Sequence, residues 1–89
     1  MIKTDFSKII IQGIDGKPIE ADFRKQLGNQ LYMQGQNIEE CQLGKRIYFA
    51  KDNEPIELTQ SEADIIRRAV QPYAYVARTA IEQAIKPDE

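Results

Sequence analysis

The side chains that most often carry out catalysis are scarce in this chain. It contains no histidine and one cysteine, Cys41. Without an imidazole, neither a Ser–His nor a Cys–His pair can activate a nucleophile. Two acids, Glu39 and Glu40, lie beside Cys41 and disfavour its thiolate form. We therefore expect Cys41 to be a small apolar residue that is buried or half-buried.

The carboxylates are numerous but scattered. Two acidic pairs fall in predicted first helical turns, where acids stabilise the helix dipole, namely Glu39 with Glu40 and Glu62 with Asp64. An enzyme that used carboxylates alone would need at least two of them to converge in a cleft. The candidates for such a site are Glu57 and Glu62 together with Asp22.

Metal and cofactor sites also lack their usual residues. One thiol and no imidazole cannot build a zinc knuckle, and no segment matches a calcium loop. The five glycines are dispersed, and none opens a phosphate-binding loop. The sequence therefore predicts no catalytic residue, no cofactor and no metal, and we expect that the protein is not an enzyme.

Paired basic residues raise the question of nucleic-acid binding. Arg67 and Arg68, with Arg78 beyond Pro72, could form a phosphate-binding face on two consecutive helices. However, the net charge is -2, whereas small nucleic-acid binders usually carry a basic excess. Contact with nucleic acid is thus the alternative, and a solvated helix surface is the preferred interpretation.

An N-terminal β-hairpin is predicted from the first twenty residues. The β-branched run at 9–11 favours a strand, which we place at 6–14. The pair Asp15-Gly16 favours a tight hairpin turn because both turn positions require positive φ. A short return strand at 17–20 follows, with Pro18 at an edge or at the strand start.

Four helices are predicted from apolar periodicity and capping signals. The first spans 22–34 and stops at Gly35, and the second begins after Asn37 and runs to about residue 51. The third begins with the capping-box pattern at 59–62 and runs to about 70, and the last spans 73–86. Residues 56–58 form either a third strand or an extended segment before the third helix. The fold class is therefore α+β, in a single domain at 1–89.

The second helix has apolar residues on two faces. Leu43 and Ile47 lie on one face, while Ile38, Cys41 and Tyr48 lie roughly opposite. Neighbouring aromatic residues cannot all face one core, so part of each aromatic pair should be exposed. We therefore predict a protein interface that comprises Ile38, Cys41, Tyr48, Phe49, Tyr73 and Tyr75.

Size and composition favour a partner. A chain of 89 residues with 42% hydrophobic residues buries a small core, so its stability is thin and oligomers are common. No signal-peptide pattern and no run of about 20 apolar residues occurs. We expect a cytoplasmic homo-oligomer, or a subunit bound to another protein, with no membrane contact.

Several short segments resemble those of small proteins encoded by phages and prophages. In those proteins a short strand with a Gly-Lys-Pro turn precedes two helices, and a segment that begins Pro-Ile-Glu-Leu-Thr and a final helix follow. The matching segments here are 15–18, the Leu27 to Leu31 helix, 45–48, 55–59 and 63–66. The resemblance implies a mobile-element setting and supplies no catalytic residue.

Overall fold

A computed structural model describes residues 2–86, which form four helices and four short strands. The helices are α1 (Arg24–Gln34), α2 (Ile38–Tyr48), α3 (Gln60–Ala69) and α4 (Tyr75–Ala84). The strands are β1 (Ile2–Thr4), β2 (Ile9–Gln12), β3 (Pro18–Ala21) and β4 (Ile56–Leu58). The α+β class and the N-terminal hairpin are confirmed.

The strands form two separate antiparallel pairs. β2 pairs with β3, and Ile9 faces Ala21 while Gln12 faces Pro18. β1 pairs with β4, which joins Ile2 to Leu58 across most of the chain length. The segment at 56–58 is therefore a strand. Its partner β1 was not predicted, because three residues carry too little periodicity to indicate a strand.

The hairpin differs from its prediction in length. Strand β2 begins at Ile9 because Asp5 folds the preceding residues into a turn, in which its carboxylate accepts hydrogen bonds from the Ser7 N–H and hydroxyl. The loop spans 13–17 and closes with the Gly16 N–H donating to the Gly13 carbonyl. Within this loop only Gly16 has positive φ (81°), so a two-residue turn with positive φ at both positions is not formed. Pro18 begins β3, as predicted.

The helices begin and end close to their predicted positions. Asn37 caps α2 through the Glu40 N–H, and Thr59 and Glu62 form a capping box at the start of α3. Helix α2 ends at Tyr48, three residues before the predicted end, and Phe49 is its C-cap. Helix α4 begins at Tyr75, because residues up to Tyr73 belong to the turn that follows α3.

The buried side chains form a core that draws on all four helices. Helices α1 and α2 cross where Gly28 faces Gly44, and their backbones approach closely at that point. The inner faces contribute the fully buried side chains, including Leu27, Leu43, Ile47, Ile66 and Ile81. This core leaves the outer faces of α1 and α2 uncovered.

Candidate interaction surface

The outer face of α2 carries large apolar side chains that the core does not cover. Ile38 is 74% exposed and Phe49 is 75% exposed, while Tyr48 is 38% exposed. Cys41 is half-buried, and its thiol lies 3.6 Å from the Tyr32 carbonyl oxygen. We call these four residues (Ile38, Cys41, Tyr48 and Phe49) the α2 surface.

A groove between α1 and α2 adjoins the α2 surface. Gly28 and Gly44 form its floor because neither has a side chain to fill it, and Tyr32 and Tyr48 line its walls. The cavity measures about 250 Å³. The Phe49 ring stands edge-on to the Tyr48 ring at 4.9 Å between centroids. The groove therefore presents aromatic walls beside an exposed Phe49.

One cation lies at the rim of this groove. The Lys45 ammonium lies 5.5 Å from the centroid of the Tyr32 ring, within range of a cation–π contact. The sequence-based prediction did not include Tyr32 or Lys45. Tyr32 could have been identified from its spacing. It follows Gly28 by four residues, so both lie on the side of α1 that meets α2.

The two remaining tyrosines of the predicted interface lie elsewhere. Tyr75 is 71% exposed and lines a second groove, with Val76 of α4 and Ile10 of β2. Tyr73 is half-buried against the core, with its ring 6.2 Å from that of Phe23. The predicted six-residue interface thus separates into the α2 surface, a groove beside α4, and a residue packed on the core.

The hydroxyl of Tyr73 is buried without a hydrogen-bond partner among the described residues. Burial raises the pKa of this phenol above its ordinary value. A packed ring with an unsatisfied hydroxyl fits a structural residue better than a contact residue. We expected that Tyr73 and Tyr75 could not both face the core, and Tyr75 is the exposed one of the two.

The basic residues of the alternative hypothesis are mostly engaged by neighbouring acids. Arg67 lies 2.8 Å from Asp64, and Arg78 lies 3.8 Å from Glu82. Arg78 also donates to the Gln71 carbonyl, and the Gln71 amide donates to the Arg67 carbonyl. Gln71 therefore links the Arg78 guanidinium to the Arg67 backbone at the junction of α3 and α4, whereas Arg68 is exposed on α3.

The three candidate acids have separate partners. Glu62 caps α3 and lies 2.6 Å from Arg46, and Glu57 faces Lys3 at 3.9 Å. Asp22 binds Arg24, and this hydrogen bond lowers the pKa of the Asp22 carboxyl below its ordinary value. A carboxyl with a lowered pKa remains ionised near neutral pH and is poorly suited to exchanging protons there.

The Arg24 contacts also link two parts of the fold. Its guanidinium lies 2.6 Å from Asp22 and 2.5 Å from Asp52, and it donates to the Ala50 carbonyl. The start of α1 is thereby joined to the segment that follows α2. This contact fixes the position of the chain just beyond Phe49.

Among three surface cavities lined by residues 2–86, one has an acidic residue in its lining, Glu40. Residues 2–86 hold no cluster of three or more candidate metal ligands. Over the same residues, no helix has both the length and the apolar character needed to cross a bilayer.

Comparison with family models, with curated proteins and with solved structures gave no match for this chain.

Proposed function

We propose that this protein is a non-enzymatic interaction and assembly module that self-associates through the α2 surface. The observation that supports this most is the exposure of Ile38 and Phe49, each about three-quarters open at the two ends of one short helix. Phe49 also lies against Tyr48 beside the aromatic groove, and contiguous exposed apolar side chains are a typical feature of protein-interaction sites. Exposed aromatic residues strengthen the proposal, because they contribute much of the energy at interfaces.

The setting of this module is proposed from the sequence. The resemblance to small phage and prophage proteins favours a mobile-element origin, and the absence of a second cysteine favours the cytoplasm. In such a setting a second copy of the same chain is the simplest partner, because most oligomers of small proteins are symmetric homo-oligomers.

A charge placed on the α2 surface tests the proposal. We expect Phe49→Glu and Tyr48→Glu each to convert an oligomer to a monomer, measured as mass by light scattering. Burying an unpaired carboxylate in an apolar interface costs several kcal/mol or more, which is roughly a 100-fold or larger loss of affinity. Phe49→Glu is the more specific test, because Tyr48 also lies close to Gly28 where α1 and α2 cross, so its substitution can disturb the fold.

The matched control is Ile14→Glu, which adds the same charge at a fully exposed residue of the hairpin loop. It should leave the mass unchanged. Circular dichroism should show that all three variants keep their helices. An oligomer whose mass is unaffected by Phe49→Glu contradicts the proposed surface, and a monomeric unmodified protein contradicts self-association.

The alternative is a nucleic-acid-binding regulator that uses Arg67, Arg68 and Arg78. It is favoured by the location of Arg67 and Arg78 near the junction of α3 and α4, where the Arg78 guanidinium donates to the Gln71 carbonyl. Fluorescence anisotropy with labelled duplex DNA at low salt measures this activity, because phosphate attraction is strongest there. The absence of DNA binding at low salt would contradict this alternative.

A further inference from the structure

We infer that two copies pair through α2 in antiparallel orientation, with Ile38 of one copy packed against Phe49 of the other. This inference rests on the proposed self-association and specifies its geometry. It follows from three properties of α2, which are the spacing of its outer residues, the distribution of its charges, and the flank on which the groove lies.

The outer residues of α2 form a stripe that is symmetric about the middle of the helix. Ile38, Gln42, Lys45 and Phe49 are all exposed and are spaced by four, three and four residues. At 3.6 residues per turn they fall within about 60° of the helix circumference. Read from either end, the order is apolar, polar, polar, apolar.

A two-fold axis through the midpoint of this stripe makes it complementary to itself. In the antiparallel orientation Ile38 meets Phe49 of the second copy, and Gln42 meets Lys45 of the second copy. Each contact occurs twice by symmetry. The apolar ends are buried against each other, and the Lys45 ammonium can donate to the Gln42 amide oxygen. In the parallel orientation, Lys45 would instead face Lys45.

The charges of α2 favour the same orientation. Its first turn carries Glu39 and Glu40, and its last turn carries Lys45 and Arg46. Antiparallel pairing places the acidic end of each helix beside the basic end of the other, and it also opposes the two helix dipoles. Arg46 is already bound to Glu62, so Lys45 is the residue that supplies the intermolecular cation.

The groove supplies the additional area that a stable dimer needs. An 11-residue helix is only about 16 Å long. A stable interface buries about 800 Å² on each partner, which is roughly one-seventh of the 5911 Å² that this chain exposes. The two-fold axis is perpendicular to the plane that contains the two α2 helices. The groove with Tyr32 and Tyr48 therefore lies above that plane in both copies, or below it in both. The two grooves can therefore face each other and contribute to the buried area.

Disulfide trapping in the full chain tests the orientation. Two single-cysteine variants, Ile38→Cys and Phe49→Cys, are made in a Cys41→Ser background and are oxidised separately and as a mixture. In the antiparallel pair, identical positions lie about 16 Å apart along the helix axis, beyond the roughly 4 Å between β-carbons that a disulfide spans. We therefore expect covalent dimer only in the mixture, by non-reducing electrophoresis.

The control mixes Phe49→Cys with Lys17→Cys, an exposed hairpin residue, and should give no covalent dimer. Light scattering of the unmodified chain is measured alongside. A dimer that forms disulfides between identical positions, or none in the mixture, overturns the antiparallel orientation and leaves self-association standing. An unmodified chain that is monomeric overturns both.

Discussion

At the scale of single residues, Tyr73 shows how burial decides the role of a side chain. Its ring packs beside Phe23, and its hydroxyl is buried without a hydrogen-bond partner among residues 2–86. An unsatisfied buried hydroxyl costs free energy, because its bonds to water are lost on folding and are not replaced. The free energy gained by burying the Tyr73 ring is therefore partly offset by the cost of burying its hydroxyl.

We expect Tyr73→Phe to keep or raise the free energy of unfolding at pH 7, by up to about 1 kcal/mol, since it removes only the unsatisfied hydroxyl. The pH dependence has a defined sign. Because the folded-state pKa of Tyr73 is raised, the unfolded chain loses this proton first, and stability falls as pH rises from about 10 through the folded-state pKa.

Urea unfolding of both proteins at pH 7 and at pH 10.5 measures this difference. The loss of stability at the higher pH should be smaller for Tyr73→Phe than for the unmodified chain. Equal losses would show that the hydroxyl is solvated, and a variant less stable at pH 7 would show that it has a hydrogen-bond partner.

At the scale of elements, two glycines set the distance between α1 and α2. A β-carbon at Gly44 would lie 2.6 Å from the Gly28 carbonyl oxygen and 2.8 Å from the Tyr32 nitrogen. Both atoms belong to the backbone, so the helices would have to move apart. The same close approach creates the floor of the groove, which links the stability of the helix pair to the proposed interface.

We expect Gly44→Ala to lower the free energy of unfolding by up to about 2 kcal/mol. Overpacking at a helix crossing costs ~1–3 kcal/mol, and the higher helix propensity of alanine returns at most about 1 kcal/mol. Chemical denaturation measures the change. Gln26→Ala, at an exposed position of α1, is the control and should stay within about 0.5 kcal/mol of the unmodified chain. A stabilised Gly44→Ala variant would mean that the helices lie farther apart.

At the scale of the whole molecule, the core and the proposed interface share the same short helix. Leu43 and Ile47 on the inner face of α2 are fully buried, whereas Ile38 and Phe49 remain open. A domain of this size has a small core, so association through the open face would add appreciably to its stability. Folding and assembly should therefore be thermodynamically linked.

This linkage predicts that the thermal unfolding midpoint depends on protein concentration. For a dimer that dissociates as it unfolds, a tenfold rise in concentration adds ~1.4 kcal/mol, which corresponds to roughly 4 °C for two chains of this length. Phe49→Glu should remove the dependence. Differential scanning calorimetry over two decades of concentration measures it. A constant midpoint in the unmodified chain would contradict a dimer that is populated in that range.

The helix caps and helix ends could be predicted from the sequence, because their signals lie within a few residues of one another. The capping pattern at Thr59, the cap at Asn37 and the end of α1 at Gly35 each depend on neighbouring backbone groups, and all three occur in the structure. The excess of apolar surface on α2 could also be read from its periodicity, because side-chain direction follows from helix geometry alone.

Which distant residues meet could not be predicted, because it depends on how the whole chain packs. The pairing of β1 with β4 joins residues more than fifty positions apart, and no local pattern encodes such a contact. The separation of Tyr73 and Tyr75 from the α2 surface has the same cause, since it depends on where α4 packs against β2. Periodicity gives the face on which a side chain lies, but only the packing of the whole chain determines which faces remain exposed.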